Sequence, residues 1–110
     1  MLPTGIGVDI EDVSRFSSKK YEQKKSFYTK IFTYQEIDYC LKKRNPYPHF
    51  TARFCAKEAT IKALNDKKIR LSDIEITVKN NKPILNLPKG RKGIVSLSHT
   101  EKYAIAFVMV

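Results

Sequence analysis

One segment, Ala52–Leu64, contains the residues of this chain that are best suited to chemistry. It reads ARFCAKEATIKAL and holds one carboxylate among three cations, namely Glu58 with Arg53, Lys57 and Lys62. The rest of the segment is apolar nearly all round, which is typical of a buried helix. Because buried charges are costly unless they pair or hold an ion, the charges predict a site for a metal ion and a phosphate-rich ligand. The alternative is a surface ion pair between Glu58 and Lys62, an arrangement that stabilises a helix by roughly 0.2–0.5 kcal/mol.

A second acidic candidate, Asp9, lies on a short alternating segment near the start of the chain. Between Gly5 and Glu11, apolar residues alternate with glycines and carboxylates, as in a β-strand. The face that carries Asp9 also carries Gly5 and Gly7, so it has space that something other than a side chain could occupy. The alternative is a strand end whose acidic face meets solvent.

The elements that must position these residues begin with two helices. The first is predicted over residues 12–20, with Asp12 as its N-cap. The second is predicted over residues 33–43, where Thr33 and Glu36 have the spacing of a capping box.

The central helix is expected to begin near His49 or Phe50 and to end near Asn65. The segment before it, NPYP at residues 45–48, should break the chain, because proline does not suit a helix interior. His49 is expected to be a surface or capping residue.

The second half of the chain predicts four antiparallel strands. Alternating or apolar segments occur at residues 74–78, 82–87, 94–99 and 103–110, with a turn at Asn80–Asn81. The last strand is apolar on both faces, so we expect a helix or a second subunit to cover the face that does not meet the core. The order of elements predicts an α+β fold, with an antiparallel sheet packed against the long central helix.

Size and charge narrow the class of protein. The 110 residues fit one domain spanning residues 1–110, and the net charge of +10 favours an anionic partner such as nucleic acid, an acidic protein or a phosphorylated small molecule. The longest apolar run, Tyr103–Val110, is far shorter than a membrane span, and the start of the chain does not resemble a signal peptide. Cys40 and Cys55 lack CxxC spacing, so we interpret them as reduced core thiols of a cytoplasmic protein.

Three stretches together indicate a family. GIGVDIEDVSRF, ARFCAKEATIKAL and SLSHTEKYAIAFV, in this order and spacing, resemble the holo-acyl-carrier-protein synthases, the small single-domain 4′-phosphopantetheinyl transferases, and the resemblance runs through nearly the whole chain. The G-x-D strand and the helical F-x-x-K-E-x-x-x-K are the most specific parts. The chain departs from the family at Ala52, where glycine is common, and at NDKK after Leu64, which replaces a glycine-rich turn.

The resemblance implies transfer of 4′-phosphopantetheine from coenzyme A to a serine of apo-acyl carrier protein, with Mg²⁺ as cofactor. Asp9 and Glu58 match the metal-binding carboxylates of the family, and Lys62 matches its phosphate-contacting lysine. These residue types suit the chemistry, since Mg²⁺ prefers one or two carboxylates with waters and phosphate oxygens, and since cations stabilise the charge that develops in phosphoryl-type transfer. The base for the serine proton stays open between a metal-bound water and a nearby carboxylate.

Four more residues are implied as contacts in the coenzyme A pocket: Arg53, Lys57, Ser98 and His99. The resemblance further implies a homotrimer in which neighbouring subunits complete each site. For Lys57 a structural ion pair is the alternative to ligand contact, and for His99 the alternative is a capping role in the turn.

The acidic carrier protein is expected to dock on a basic surface. Arg15 matches the first-helix arginine of the family, and Lys19 and Lys20, followed by Lys24 and Lys25, extend the positive charge. Such contacts should weaken as salt increases.

Two other functions fit parts of this pattern. A small nucleic-acid-binding protein would explain the charge of +10 and the aromatic residues between lysines, but no RNP-type motif, zinc spacing or glycine-rich clamp is present. A non-catalytic relative that only binds carrier protein would not need Asp9, Glu58 and Lys62.

Overall fold

The computed structural model describes residues 5–110 as a five-stranded antiparallel sheet with helices on one side. The strand order is β1-β5-β4-β3-β2. The strands are β1 (Ile6–Asp12), β2 (Glu75–Lys79), β3 (Lys82–Asn86), β4 (Lys92–His99) and β5 (Tyr103–Met109), and the helices are α1 (Ser14–Ser17), α2 (Lys25–Ile31), α3 (Tyr34–Leu41) and α4 (Pro46–Leu64). The predicted α+β fold, with an antiparallel sheet against a long central helix, is confirmed.

The central helix α4 packs on the sheet through small side chains. Ala52, Ala56 and Ala59 are almost completely buried, and they belong to the same core cluster as Ala106 and Val108 of β5. Because alanine side chains are short, the helix lies close to the strands. This closeness brings charged residues of α4 next to those of β1.

A second core is aromatic and ties the segment after β1 to α4. Phe16, Tyr28, Phe32 and Phe50 are buried, and neighbouring ring centroids lie 4.8–6.0 Å apart. The Tyr28 hydroxyl lies 3.0 Å from the Phe16 carbonyl oxygen and 2.6 Å from that of Lys19. These contacts anchor residues 14–32 against the N-terminal half of α4.

The helix boundaries differ from the prediction at two places. α4 begins at Pro46 rather than near residue 49, because Asn45 caps it (Asn45 Oδ1 accepts from Tyr47 N–H at 3.2 Å) and proline is tolerated in a first turn whose N–H groups need no helical partner. α1 covers only residues 14–17 instead of 12–20, and the separate helix α2 was not predicted. The predicted capping box of Thr33 and Glu36 is present at the start of α3.

The strand register sorts residues onto two faces of the sheet. Asp9, Ala106 and Leu97 form one row on the face that α4 covers, and Glu11, Ala104 and His99 form the next. Val8, Phe107 and Ser96 form a row on the opposite face, as do Ile10, Ile105 and Ser98. None of the helices between residues 5 and 110 has the length and apolar character needed to span a membrane.

Candidate functional site

The two glycines of β1 explain how α4 reaches Asp9. A Cβ atom on Gly7 would lie 2.0 Å from the carbonyl oxygen of Ala59, and one on Gly5 would lie 2.3 Å from that of Ala63. The space that the sequence leaves beside Asp9 is therefore filled by the backbone of α4. Only glycine permits this approach, since any larger residue would force the strand and the helix apart.

Asp9 and Lys62 form an ion pair across this junction. Lys62 Nζ lies 3.0 Å from Asp9 Oδ1 and 3.3 Å from the Val8 carbonyl oxygen. The Asp9 side chain is 15% exposed and that of Lys62 is 58% exposed. The hydrogen bond to Asp9 raises the pKa of Lys62 above its ordinary value, as does the charge of Asp9 and, to a smaller extent, that of Glu58. The lysine is therefore fully protonated at neutral pH and still accessible.

The second oxygen of Asp9 supports the expected metal site. Asp9 Oδ2 is buried and has no hydrogen-bond partner within residues 5–110. Glu58, on α4 one turn before Lys62, is partly exposed and close enough to raise the pKa of Lys62. A buried orphan carboxylate oxygen with a second carboxylate nearby fits Mg²⁺, which takes one or two protein carboxylates and completes its shell with water and substrate oxygens. No group of three or more His, Cys, Asp or Glu side chains within residues 5–110 is placed to hold a metal ion, so the two carboxylates would need water and substrate oxygens to complete the shell.

Cys55 lies on the buried side of the same junction. Its thiol donates to the Ala104 carbonyl oxygen at 3.4 Å and lies beside the Asp9 carboxylate. Burial, followed by the charge of Asp9 and a weak S–H interaction with that side chain, raises the pKa of Cys55 to about 12. The thiol is neutral at physiological pH and therefore not activated as a nucleophile. Cys40 and Cys55 are both free and buried, as the sequence predicts.

Arg15 packs on α4 near Glu58. Its guanidinium carbon lies 4.7 Å from the ring centroid of Phe54, which precedes Glu58 by one turn of α4, and its Nη1 lies 3.5 Å from Glu11 Oε2. Lys19 and Lys20 stack in the same way, at 4.9 Å over Phe27 and 4.7 Å over Tyr47. The side chains of Arg15, Lys19 and Lys20 therefore stack on aromatic rings. Two of those rings, Tyr47 and Phe54, lie on the same side of α4 as Glu58.

Arg53 and His99 lie elsewhere, beside a cavity of about 230 Å³ that Tyr39, Leu97 and Pro83 also line. Arg53 is almost fully buried, stacks 4.2 Å over the ring of Tyr39, and has a buried Nε without a partner among the described residues. Within one chain, Arg53 and His99 border a cavity that the other predicted site residues Asp9, Glu58 and Lys62 do not line.

The cavity also contains a residue that the sequence placed at the surface or at a cap. His49 is partly buried, and its ring centroid lies 4.9 Å from that of His99. Burial, followed by the charges of His99, Arg53 and Lys43, lowers the pKa of His49 to about 4. Nothing in the sequence around Pro48 indicates the contact with His99, because His99 lies on β4, far away in the chain.

Ser98 and His99 are adjacent in sequence but lie on opposite faces of the sheet. Ser98 shares a row with Ile10 and Ile105 on the face that α4 does not cover, whereas His99 is on the covered face. Within one chain, Ser98 does not line the cavity that contains Arg53.

Lys57 has a different environment from the one expected for a ligand contact. Its side chain is completely buried, and Nζ donates to Glu36 Oε1 at 2.7 Å, to the Leu71 carbonyl oxygen at 3.0 Å and to the Ile74 carbonyl oxygen. An ammonium group has three donors, and all three are used. This environment favours the alternative given for Lys57, a structural ion pair, over a contact with coenzyme A. Burial lowers the pKa of Lys57, and Glu36 opposes that shift.

The face of the sheet opposite α4 is apolar and exposed. The large apolar side chains on it are 40–66% exposed, and they come from all three adjacent strands β1, β5 and β4: Ile6, Val8, Ile10, Ile94, Tyr103, Ile105 and Phe107. Among residues 5–110 of one chain, no helix covers this second face of β5.

Comparisons with known proteins agree on one family. A family model described as the 4′-phosphopantetheinyl transferase superfamily matches residues 5–108. A holo-[acyl-carrier-protein] synthase from Thermodesulfovibrio yellowstonii is 45% identical, covering 96% of each chain, and one from Chlamydia caviae is 40% identical, covering 96% of this chain and 95% of the relative.

Solved structures of the same kind of enzyme superpose closely. The synthase from Bacillus anthracis in complex with CoA (3′,5′-ADP) has a TM-score of 0.82 and 28% identity, covering 99% of this chain and 96% of that one. The synthase from Helicobacter pylori in complex with coenzyme A also has a TM-score of 0.82 and 28% identity, covering 96% of this chain and 99% of that one.

Proposed function

Because the chain belongs to the holo-[acyl-carrier-protein] synthases of the 4′-phosphopantetheinyl transferase superfamily, we propose that it uses the Asp9, Glu58 and Lys62 group for a Mg²⁺-assisted form of their reaction. The enzyme transfers 4′-phosphopantetheine from coenzyme A to a serine of apo-acyl carrier protein. The serine oxygen forms a new bond to the β-phosphorus while the bond from that phosphorus to the bridging pyrophosphate oxygen breaks. Adenosine 3′,5′-bisphosphate leaves with the bridging oxygen, and a base takes the serine proton.

The pairing of Asp9 with Lys62 at the junction of β1 and α4 carries this proposal. Negative charge accumulates on the pyrophosphate as the bond breaks, and cations held in place supply most of the stabilisation in such transfers. Lys62 is protonated, more than half exposed and held by Asp9 Oδ1, so it can meet the pyrophosphate without reorganising. Mg²⁺, when bound, neutralises the same charge as a Lewis acid.

Asp9 and Glu58 would hold the metal. The buried, unpartnered Oδ2 of Asp9 supplies one oxygen, and Glu58 supplies the other from the adjacent turn of α4. Asp9 then has two tasks at once, since its first oxygen orients Lys62. The carboxylate of Asp9 would therefore place both Lys62 and Mg²⁺ beside the same pyrophosphate.

Arg15, Lys19 and Lys20 form the proposed docking surface for the acidic carrier. Each is stacked on an aromatic ring, which limits the conformational freedom lost when the partner binds. Arg15 stacks on Phe54, which precedes Glu58 by one turn of α4, so a carrier held there would have its serine near the metal site. We expect charge complementarity to control the association rate more than the final affinity.

We further propose that the functional unit is a homotrimer in which Arg53, Ser98 and His99 complete a neighbour's coenzyme A pocket. The exposed apolar face of β1, β5 and β4 supports association. Its large apolar side chains are 40–66% exposed, and monomers rarely expose a large contiguous apolar patch. Arg53 and His99 also border a cavity that Asp9, Glu58 and Lys62 do not line, as expected for residues that contribute to a second subunit's site.

We propose that residues 1–110 form one transferase domain and that the reaction takes place in the cytoplasm for fatty acid biosynthesis. The match of the family model over residues 5–108 and the two free thiols support these assignments. The alternative of a nucleic-acid-binding protein finds no support in the relatives.

The direct test is transfer of a fluorescent pantetheine from labelled coenzyme A to apo-acyl carrier protein, with and without Mg²⁺. We expect incorporation only when the divalent ion is present. Salt-sensitive binding of DNA or RNA without any transfer would instead establish the alternative.

A further inference from the structure

The buried pair of Glu36 and Lys57 joins the elements around the site. Both side chains are 0% exposed, and Lys57 Nζ lies 2.7 Å from Glu36 Oε1. Glu36 also accepts from the Thr33 backbone N–H at 2.9 Å and from the Ile76 backbone N–H at 2.8 Å. One carboxylate therefore caps α3, binds the edge of β2 and neutralises a lysine of α4.

Lys57 extends this network along the segment that follows α4. It donates to the carbonyl oxygens of Leu71 and Ile74, which lie directly before β2. Each of the three N–H donors of the Lys57 ammonium group is hydrogen-bonded to an acceptor on another element. The rotation of α4 about its own axis is thus specified at Lys57 by three acceptors outside the helix.

Other contacts of α4 hold two opposite sides of the helix. Its buried residues include Ala52, Ala56 and Ala59 against the sheet, and Phe50 and Phe54 in the aromatic core. A helix that is apolar on both sides lacks the polar face that orients an amphipathic helix, so its apolar residues alone do not select one rotation. The close approach of Gly7 to Ala59 and of Gly5 to Ala63 depends on backbone atoms and small side chains, which hold the helix at a short distance without a directional contact.

Glu58 is the next residue after Lys57, so about 100° of helix rotation separates them. We propose that the Glu36–Lys57 pair is a positioning device that fixes the rotation of α4 and thereby aims the Glu58 carboxylate at the metal position beside Asp9. Buried ion pairs contribute little net stability but can select one packing arrangement among several. This inference rests on the proposed function of Glu58 as a metal ligand.

The test neutralises both partners together, because removing one would leave a buried charge uncompensated. The Lys57→Met/Glu36→Gln double variant keeps the side-chain volumes similar. Thr60→Val is the matched control, since it removes a buried hydrogen bond within α4 (Thr60 Oγ1 to the Ala56 carbonyl oxygen, 2.7 Å) without touching the Glu36 network.

Two measurements separate positioning from stability. Binding of Mn²⁺ in the presence of coenzyme A, followed by electron paramagnetic resonance, reports the metal site, and thermal unfolding by circular dichroism reports the fold. We expect the double variant to remain folded, to bind Mn²⁺ at least tenfold more weakly and to lose at least tenfold in kcat, with the KM for carrier protein unchanged. We expect Thr60→Val to bind Mn²⁺ normally.

The proposal is overturned if the folded double variant binds Mn²⁺ within twofold of the wild type. If this double variant does not fold, Lys57→Leu/Glu36→Gln decides the matter, because it also leaves no buried charge and fills the site with a different apolar side chain, and unchanged Mn²⁺ affinity there also overturns the proposal. A wild-type enzyme that binds Mn²⁺ but transfers nothing would reject the proposed function instead. The two failures are therefore distinguishable.

Discussion

Lys62 Nζ and Asp9 Oδ1 lie 3.0 Å apart, although 53 positions separate the two residues in the chain. This pair joins α4 to β1 at the point where the other oxygen of Asp9 is buried and unpartnered. One carboxylate therefore has one oxygen engaged with a protein cation and the other left for a further cation.

Asp9→Asn should reduce transfer by at least a thousandfold, because the amide loses the charge that holds both Lys62 and the metal. The same variant should lose Mn²⁺ binding while remaining folded, since its shape is unchanged. Steady-state kinetics and metal titration check this. The matched control is Asp38→Asn, which removes an exposed carboxylate paired only with Lys42 on α3 and should retain full activity. Normal Mn²⁺ affinity in Asp9→Asn would remove Asp9 from the metal site.

Gly7→Ala should destabilise the protein by about 3 kcal/mol, because the added methyl group would lie 2.0 Å from the Ala59 carbonyl oxygen and must push α4 away. Transfer should fall even where the variant is folded, since α4 carries Glu58 and Lys62. Denaturant unfolding measures the first effect. Gly90→Asn is the control: a Cβ there meets nothing within 4 Å, and asparagine tolerates the φ of +72°. Wild-type stability in Gly7→Ala would show that the strand and helix are not in close contact.

Arg15→Ala should raise the KM for carrier protein about three- to tenfold and leave kcat nearly unchanged, because the guanidinium acts in docking rather than at the reacting atoms. The rate should also become less sensitive to salt. A series of kcat/KM values at increasing NaCl measures both. Lys82→Ala, in the β2–β3 hairpin, removes the same charge elsewhere and should change neither quantity. An equal loss in both variants would indicate a general charge effect instead of a docking surface.

Phe107→Asp should convert the proposed trimer into monomers and reduce transfer at least tenfold. Phe107 is 42% exposed at the centre of the apolar face, where a carboxylate would be buried without a partner on association. Light scattering coupled to gel filtration determines the mass. Tyr34→Asp, at a side chain that is 86% exposed on α3, should leave the mass and the activity unchanged. A wild-type chain that elutes as a monomer would refute the trimer directly.

His49 should make stability fall as the solution becomes acidic. Its pKa is about 4 in the folded protein and ordinarily 6.5, so the unfolded chain binds more protons between these values and the free energy of unfolding decreases as pH falls from 6.5 to 4. His49→Phe should remove about 1–2 kcal/mol of this decrease, less than the full shift corresponds to because His49 is only partly buried. Urea unfolding of both proteins at pH 7 and pH 4.5 gives the difference. Identical pH dependence would show that His49 is solvated.

The alternating pattern of residues 5–11, the capping box at Thr33 and the order of strands after Ile74 could all be predicted, because each depends on a periodicity or a side-chain contact within a few residues. The start of α4 could not, since the prolines at positions 46 and 48 argue against a helix until Asn45 is seen to cap it. The motifs identified the family, and with it Asp9, Glu58 and Lys62 as candidates.

Only the tertiary structure distinguished the roles of neighbouring charges on α4. Lys57 and Lys62 have the same side chain on the same helix, yet one is buried against Glu36 and the other faces Asp9 in solvent. A sequence pattern reports which residue types are present and how a helix could turn, but the partner of each charge is set by elements distant in the chain. That is the physical reason why candidate residues could be inferred from the sequence, whereas the fold was needed to separate the buried charge of Lys57 from the accessible charge of Lys62.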